Sequence, residues 1–234
     1  MEQTDPPLPV TPGTIYLVPT PIGHRDDITL HAINVLRHVD RIACEDTRHS
    51  SPLLQHHGIH KPLISLHEHN EQRRIPEIIS MLQAGECLAV ITDAGMPGIS
   101  DPGYRLIQHC IKEQIPYHVL PGPSAILNAL IGSGFPCHSF TFGGFLPIKK
   151  GRRAQVLLDA AAAPVTHIFF ESPHRLLSTL EILHQQAPET HCCVARELTK
   201  KFETFHRATA TALYHWFSAH PPKGEIVFLI HPKS

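Results

Sequence analysis

The sequence predicts an α/β fold of two domains, with a mostly parallel N-terminal sheet and a mixed C-terminal sheet. Three observations predict it. Five apolar runs in the first half each end in glycine, proline or polar residues. Stretches with helical periodicity lie between them. After Pro121 the spacing changes, and two strand-like runs come too close together for a helical crossover.

The five runs are 15–18 before Pro19-Thr20-Pro21-Ile22-Gly23, 41–44 before Glu45-Asp46-Thr47-Arg48, 62–66 before His67-Glu68-His69-Asn70, 87–92 before Asp93-Ala94-Gly95-Met96-Pro97, and 117–120 before Pro121-Gly122-Pro123-Ser124-Ala125. Leu88-Ala89-Val90-Ile91 is apolar without alternation, as a strand covered on both faces should be. Three helices between the runs are well punctuated. Asp27 precedes a stripe of Ile28, Ala32, Val35, Leu36 and Val39. Asn70 opens a segment with Ile75, Ile78, Ile79 and Leu82 on one face and Gly85 beyond its end, where a left-handed cap favours glycine. Asp101-Pro102 supplies a cap and a first-turn proline ahead of Tyr104, Leu106, Ile107 and Ile111. In an open parallel sheet, every strand-to-helix loop falls on the carboxyl edge, where ligands bind. One crevice is therefore expected to hold most of the chemistry.

In the second half a short helix over 124–130 is broken by Gly132-Ser133-Gly134-Phe135-Pro136. Strands are expected at 139–142, 165–170, 191–195, 201–206 and 225–230, with 191–195 and 201–206 forming a hairpin or bend. The expected organisation is a flexible tail over 1–12, an N-terminal α/β domain over 13–120 and a C-terminal α/β domain over 121–234.

Twenty Lys and Arg against 21 Asp and Glu leave a formal charge of −1, so no global field draws nucleic acid or anionic membrane, and any such site is a local patch. The six cysteines have no C-x-x-C spacing and read as reduced, packed thiols of a cytoplasmic protein. No apolar stretch is long enough for a membrane span, and the start is acidic and proline-rich, unlike a signal peptide.

Gly95-Met96-Pro97-Gly98-Ile99 and Pro121-Gly122-Pro123-Ser124-Ala125 are loops whose glycines permit close backbone approach to a nucleotide-like ligand, with Asp93 beside the first. Neither a G-x-G-x-x-G nor a G-x-x-x-x-G-K-[ST] pattern occurs, which disfavours NAD and ATP phosphate cradles. His67-Glu68-His69 has alternate histidines that could share an ion, but twenty histidines are scattered through the chain, and no metal is expected. Neither Ser124 nor Ser172 sits in a G-x-S-x-G elbow. Lys149-Lys150-Gly151-Arg152-Arg153 is the densest positive run and follows an aromatic segment; it fits either a solvated helix start or a phosphate-backbone contact.

These residues also carry a resemblance. Thr20-Pro21-Ile22-Gly23, Cys44-Glu45-Asp46-Thr47-Arg48, His67-Glu68-His69-Asn70, Asp93-Ala94-Gly95 with Ser100-Asp101-Pro102-Gly103-Tyr104, Pro121-Gly122-Pro123-Ser124-Ala125, Gly144-Phe145-Leu146-Pro147, Phe170-Glu171-Ser172-Pro173-His174-Arg175, Ala195-Arg196-Glu197-Leu198-Thr199-Lys200 and Gly224-Glu225-Ile226-Val227 occur in order between Gly13 and Ile230. Together they resemble the ribosomal RNA small subunit methyltransferase I family of the tetrapyrrole methylase superfamily. The resemblance implies two α/β domains with S-adenosylmethionine in the cleft between them, and a homodimer. It also implies 2′-O-methylation of a cytidine ribose in the decoding centre of 16S rRNA within the small ribosomal subunit. It places the cofactor against Pro21, Ile22, Asp93, Gly95, Met96, Ile99, Ser124 and Ala125, with Phe170, Glu171 and Leu198 closing the pocket. Members of that family usually have threonine at Met96, leucine at Gly98 and asparagine-leucine at His24-Arg25, and commonly a further helical segment after the last strand.

A ribose hydroxyl is a poor nucleophile, so a base or hydrogen-bond acceptor would help. Glu45, Glu68, Glu171 and Glu197 are the catalytic candidates, with none dominant, because holding the hydroxyl in line with an activated methyl supplies most of the acceleration. Arg48, Arg73, Arg74, Lys149, Lys150, Arg152 and Arg153 are the candidate RNA contacts. Two other readings share parts of this pattern. A methyltransferase of corrin-type precursors would keep the cofactor loops without the basic residues. A non-catalytic, cofactor-binding RNA-associated protein would keep the basic residues without a competent cleft.

Overall fold

The computed structural model describes residues 10–231; most of the expected tail, residues 1–9, lies outside it. The chain divides into two compact units, one ending at Pro123 and the other beginning at Ser124.

The first unit alternates strand and helix: β1 (Ile15–Leu17), α1 (Leu30–His38), β2 (Arg41–Cys44), α2 (Thr47–His56), β3 (Leu63–Ser65), α3 (Glu71–Gln83), β4 (Leu88–Val90), α4 (Tyr104–Lys112) and β5 (Tyr117–Val119). The five strands form one parallel sheet in the order β3-β2-β4-β1-β5. Alternate side chains feed two cores. Tyr16, Ile42, Cys44 and Ala89 join Val35, Leu36 and Leu54 on one face. Ile15, Ala43, Leu88 and Val90 join Ile75, Ile78 and Leu106 on the other. Both faces are dry, which is why these strands read as unbroken apolar runs rather than alternating ones.

The helix starts differ in detail from expectation. Asp27 ends a short 3-10 helix (Arg25–Asp27), and Thr29 caps α1, its hydroxyl accepting the N–H of Ala32 at 3.0 Å. Asn70 precedes α3 without capping it: its Oδ1 accepts the N–H of His67 at 2.8 Å and its Nδ2 donates to the Ser65 carbonyl at 3.2 Å. Gly85 follows α3 with φ +93°, the left-handed turn that its position calls for. Asp101 and Pro102 do not cap α4. Gly103 is the cap residue, and the orphan N–H groups of the first turn are met instead by Glu71 of α3.

The second unit comprises α5 (Ala125–Ser133), β6 (Phe140–Phe145), α6 (Lys150–Ala162), β7 (Thr166–Glu171), α7 (Pro173–Gln186), β8 (His191–Arg196), β9 (Thr204–Thr209), α8 (Ala210–Ala219) and β10 (Ile226–Ile230). Its sheet runs β6-β7-β10-β8-β9, parallel only between β6 and β7. β8 and β9 form the expected antiparallel pair, but β9 starts at Thr204, three residues later than the strand anticipated at 201–206. A ladder of six residue pairs needs room for the 197–203 turn, which takes up Lys201 and Phe202. Phe228, fully buried in β10, lies in a core closed by Leu157, Leu180, Leu183, Leu213 and Phe217. Among the described residues, no helix is long and apolar enough to cross a membrane.

Candidate functional site

Two of the expected ligand loops meet at the carboxyl edge of the first sheet, because β1 and β4 are neighbours there. Thr20 and Gly95 exchange both backbone hydrogen bonds at 3.0 Å, and the Thr20 hydroxyl donates to the Thr92 carbonyl at 2.9 Å. Gly95 holds φ +84°, a conformation that costs an L side chain about 1–2 kcal/mol, and a Cβ there would stand 3.5 Å from Cγ2 of the buried Ile22. Pro21, Gly23, Arg48, Ser50, Thr92 and Asp93 line a cavity of about 350 Å³. Asp93 Oδ1 is buried there with no hydrogen-bond partner among the described residues. A buried acceptor left unpaired costs about 1–3 kcal/mol, so it suits a site completed by a ligand donor. Met96 and Ile99 continue the same loop, joined by a hydrogen bond from the Ile99 N–H to the Met96 carbonyl at 3.3 Å.

A second cavity, also about 350 Å³, is lined by Glu45, Glu68, Ser100, Asp101 and Arg105. Burial, reinforced by the charge of Asp93, raises the Glu45 carboxyl above its ordinary range. Burial together with the charges of Glu45 and Asp93 pushes Asp101 up to about 7. Asp101 is therefore a titratable group of this edge that sequence reasoning spent on a helix cap; its place behind the glycine loop was the available signal. Asp46, by contrast, is committed. Its Oδ1 accepts the N–H of Arg48 at 2.8 Å to cap α2, and the Arg48 guanidinium holds its carboxyl down at about 2.

The remaining candidates lie in the second unit. Ser124 caps α5, its hydroxyl accepting the N–H of Leu127 at 3.4 Å, and Ala125 is the first residue of that helix. Phe170 stacks edge-on with Phe142 and Phe145, ring centres 4.9 and 5.4 Å away. Leu198 is buried. Glu171 is not an open carboxylate. Its side chain is fully buried, Oε1 accepting the N–H of Ser172 at 2.7 Å and pairing with Arg175 at 3.0 Å, Oε2 accepting the Thr179 hydroxyl at 2.6 Å. Three of its acceptor positions are thus taken by donors on β7 and α7, a structural commitment that sets it apart from the open carboxylates among the catalytic candidates. Glu197 is tied down too: Oε1 accepts the N–H of Glu225 at 2.9 Å and the Lys200 ammonium at 3.2 Å. Against the desolvation of its partial burial, those donors hold the Glu197 carboxyl below its ordinary range. A depressed, doubly bonded carboxylate is a weak base.

The basic candidates divide sharply. Arg48, Arg73, Lys149, Lys150 and Arg152 are exposed, although Arg48 folds back onto Asp46 at 2.8 Å. Arg74 pairs with Glu77 at 2.6 Å. Arg153 is 6% exposed, and its guanidinium donates to the Ser178 hydroxyl at 3.0 Å and the Pro147 carbonyl at 3.5 Å. It faces the core side of α6 and is removed from the set of phosphate contacts. His67 and His69 stand with ring centres 6.1 Å apart and do not converge with a third ligand among the described residues.

Comparison with known proteins agrees with this architecture. The pattern of the family described as Tetrapyrrole (Corrin/Porphyrin) Methylases matches residues 14–214. A protein of Halalkalibacterium halodurans named ribosomal RNA small subunit methyltransferase I is 44% identical over 218 residues, 93% of this chain and 75% of that protein. One of the same name from Thermotoga maritima is 42% identical over 221 residues, 94% of this chain and 99% of that protein. A crystal structure of diphthine synthase superposes with a TM-score of 0.73 at 10% identity, covering 94% of this chain and 90% of that one. The chain belongs to the tetrapyrrole methylase family, in the branch formed by the ribosomal RNA small subunit methyltransferase I proteins.

Proposed function

We propose that this protein uses S-adenosylmethionine to methylate the 2′-hydroxyl of a cytidine in the decoding centre of 16S rRNA, acting in the cytoplasm on the assembled small ribosomal subunit as a homodimer. The observation that carries the proposal is the identity with relatives named for small-subunit rRNA methylation, spread over 93% of the chain. The cofactor, when bound, supplies a sulfonium methyl already activated for transfer to oxygen.

The chain's own residues supply the rest. The Thr20 and Gly95 bridge fixes the first and second loops relative to each other, and Gly95 leaves the space beside Ile22 open. Asp93 offers an unused acceptor to an ammonium or hydroxyl donor. Pro21, Ile22, Met96 and Ile99 belong to the same two loops and provide apolar surface. Glu45 and Asp101, both held above the usual carboxylate range, are the groups suited to take up the proton the ribose hydroxyl gives up. Lys149, Lys150 and Arg152 crowd positive charge onto the start of α6, where it opposes the helix dipole. Charge so placed does not serve helix stability, but together with the free N–H groups of that turn it suits an RNA phosphate.

The decisive experiment incubates the protein and labelled S-adenosylmethionine with small subunits purified from a strain lacking the corresponding enzyme, then maps the label. Label on a cytidine ribose of 16S rRNA is the expected result. Transfer to a corrin-type precursor instead would establish the small-molecule reading. Cofactor binding without any transfer would establish the non-catalytic one.

A further inference from the structure

A second cluster in the first unit has no part in that reaction. Asp26, in the 3-10 helix after the first loop, and His56 and His57, at the end of α2, bring three ligand atoms within 4.8 Å of one another, one from each side chain. Among the described residues, this is the group of three potential ligands that converges in this way.

Asp26 Oδ1 and His56 Nε2 are 3.4 Å apart. That is long for an N–H···O hydrogen bond, whose usual range ends at about 3.2 Å. It is the spacing of two ligands on one tetrahedral ion, since bonds of about 2.0–2.1 Å at tetrahedral angles put ligand atoms about 3.4 Å apart. The widest separation in the group, up to 4.8 Å, exceeds that spacing by at most about 1.4 Å, so side-chain rotation must close the gap when an ion binds. His57 Nε2 is buried without a hydrogen-bond partner among the described residues, so one nitrogen of this ring is unused. His24 Nδ1 lies 4.0 Å from the other Asp26 oxygen. One charge opposes a cation: Arg37 donates to the His57 carbonyl at 2.8 Å. One carboxylate and two imidazoles suit a divalent ion of zinc type, not magnesium or calcium, which prefer an all-oxygen set.

We propose that Asp26, His56 and His57 form a binding site for a zinc-class divalent transition-metal ion, with water in the remaining coordination position, which staples the 3-10 helix following the first loop to the end of α2. The two attachment points are 30 residues apart in sequence, so the ion closes a loop that includes β2.

The test is zinc titration by calorimetry of the full chain, metal-stripped beforehand, against Asp26→Asn, His56→Gln and His57→Gln, with His109→Gln as a control elsewhere on the surface. Expected is one Zn2+ per chain at micromolar affinity, retained in the control and weakened by at least about tenfold in each of the three variants. Co2+ in the same site should give the visible bands of a four- or five-coordinate ion, lost in the same variants. Thermal unfolding should rise with Zn2+ in the wild type and the control alone, a readout independent of methyl transfer. No uptake by the wild type, or uptake with undiminished affinity in the three variants, overturns the assignment; the latter places the ion among the other histidines.

Discussion

Glu71 Oε1 accepts the backbone N–H of Gly103 at 3.0 Å and that of Leu106 at 3.3 Å, so a buried carboxylate on α3 caps α4 from outside its own chain segment. Removing it leaves two buried N–H groups unpaired. Glu71→Ala should lower the free energy of unfolding by about 2–3 kcal/mol, and Glu71→Gln by less, since its amide oxygen still accepts both bonds without the charge. Urea unfolding of the two variants measures this, and equal stability of both with the wild type would refute the cap.

Asp101 sets a pH dependence. Its carboxyl is raised to about 7 in the fold from 3.8, so the folded protein binds a proton that the unfolded chain has released between those values. The associated stability is fully present below the unfolded value and is lost as pH rises through the folded one. Because the group is only partly buried, screening reduces the effect to about 1–2 kcal/mol. The urea midpoint should fall between pH 5 and pH 8 more in the wild type than in Asp101→Asn. Parallel profiles would show that Asp101 titrates normally.

Gly95 lies in the proposed cofactor loop. Gly95→Ala puts a methyl within contact distance of Ile22 at a positive φ, and Gly95→Val a branched side chain. Calorimetry with S-adenosylhomocysteine should show affinity reduced by at least about tenfold in the alanine variant and further in the valine variant, a cost of about 1.4 kcal/mol or more. Unchanged affinity would move the cofactor away from this loop.

The run from Lys149 to Arg153 should separate into two behaviours. Replacing Lys149, Lys150 and Arg152 with alanine should weaken binding to small subunits and lower the slope of log affinity against log salt by about 0.7 to 0.9 for each phosphate no longer neutralised, leaving the melting temperature unchanged. Arg153→Ala should do the opposite, lowering stability because the bonds to Ser178 and Pro147 disappear, with the salt slope intact. A wild-type slope in the triple variant would make the patch a solvated helix end.

Glu171→Gln should behave as a stability variant. Breaking the ion pair with Arg175 at 3.0 Å inside β7 and α7 should cost about 1–3 kcal/mol, while the folded fraction retains methyl transfer. A stable but wholly inactive variant would keep Glu171 among the catalytic candidates.

Much of this was legible from residue order because the first sheet buries both its faces, so every strand announces itself as an apolar run closed by a polar loop. That pattern placed Asp93 and Gly95 in a loop at the carboxyl edge, and the family resemblance named them as cofactor contacts. Helix caps were read less well, since Thr29 and Glu71 do the work expected of nearer acidic residues, Asp27 and Asp101. A cap supplied from 32 residues away leaves no local trace. The burial of Arg153 and Glu171 was not legible for a related reason: charge in a motif does not reveal which side of its helix or strand is buried.

The strand order carries a consequence for synthesis. β1 lies between β4 and β5, whose residues, 88–90 and 117–119, are made long after its own 15–17. β1, made before the other four strands of this sheet, therefore has no neighbour to pair with until β4 follows about 70 residues later, and gains its second only with β5. Such distant pairings put the cost of closing large loops ahead of the contacts that repay it, which slows folding. Until then the apolar Ile15, Tyr16 and Leu17 must wait in a nascent chain, and the N-terminal half becomes a finished sheet only as residue 119 is added.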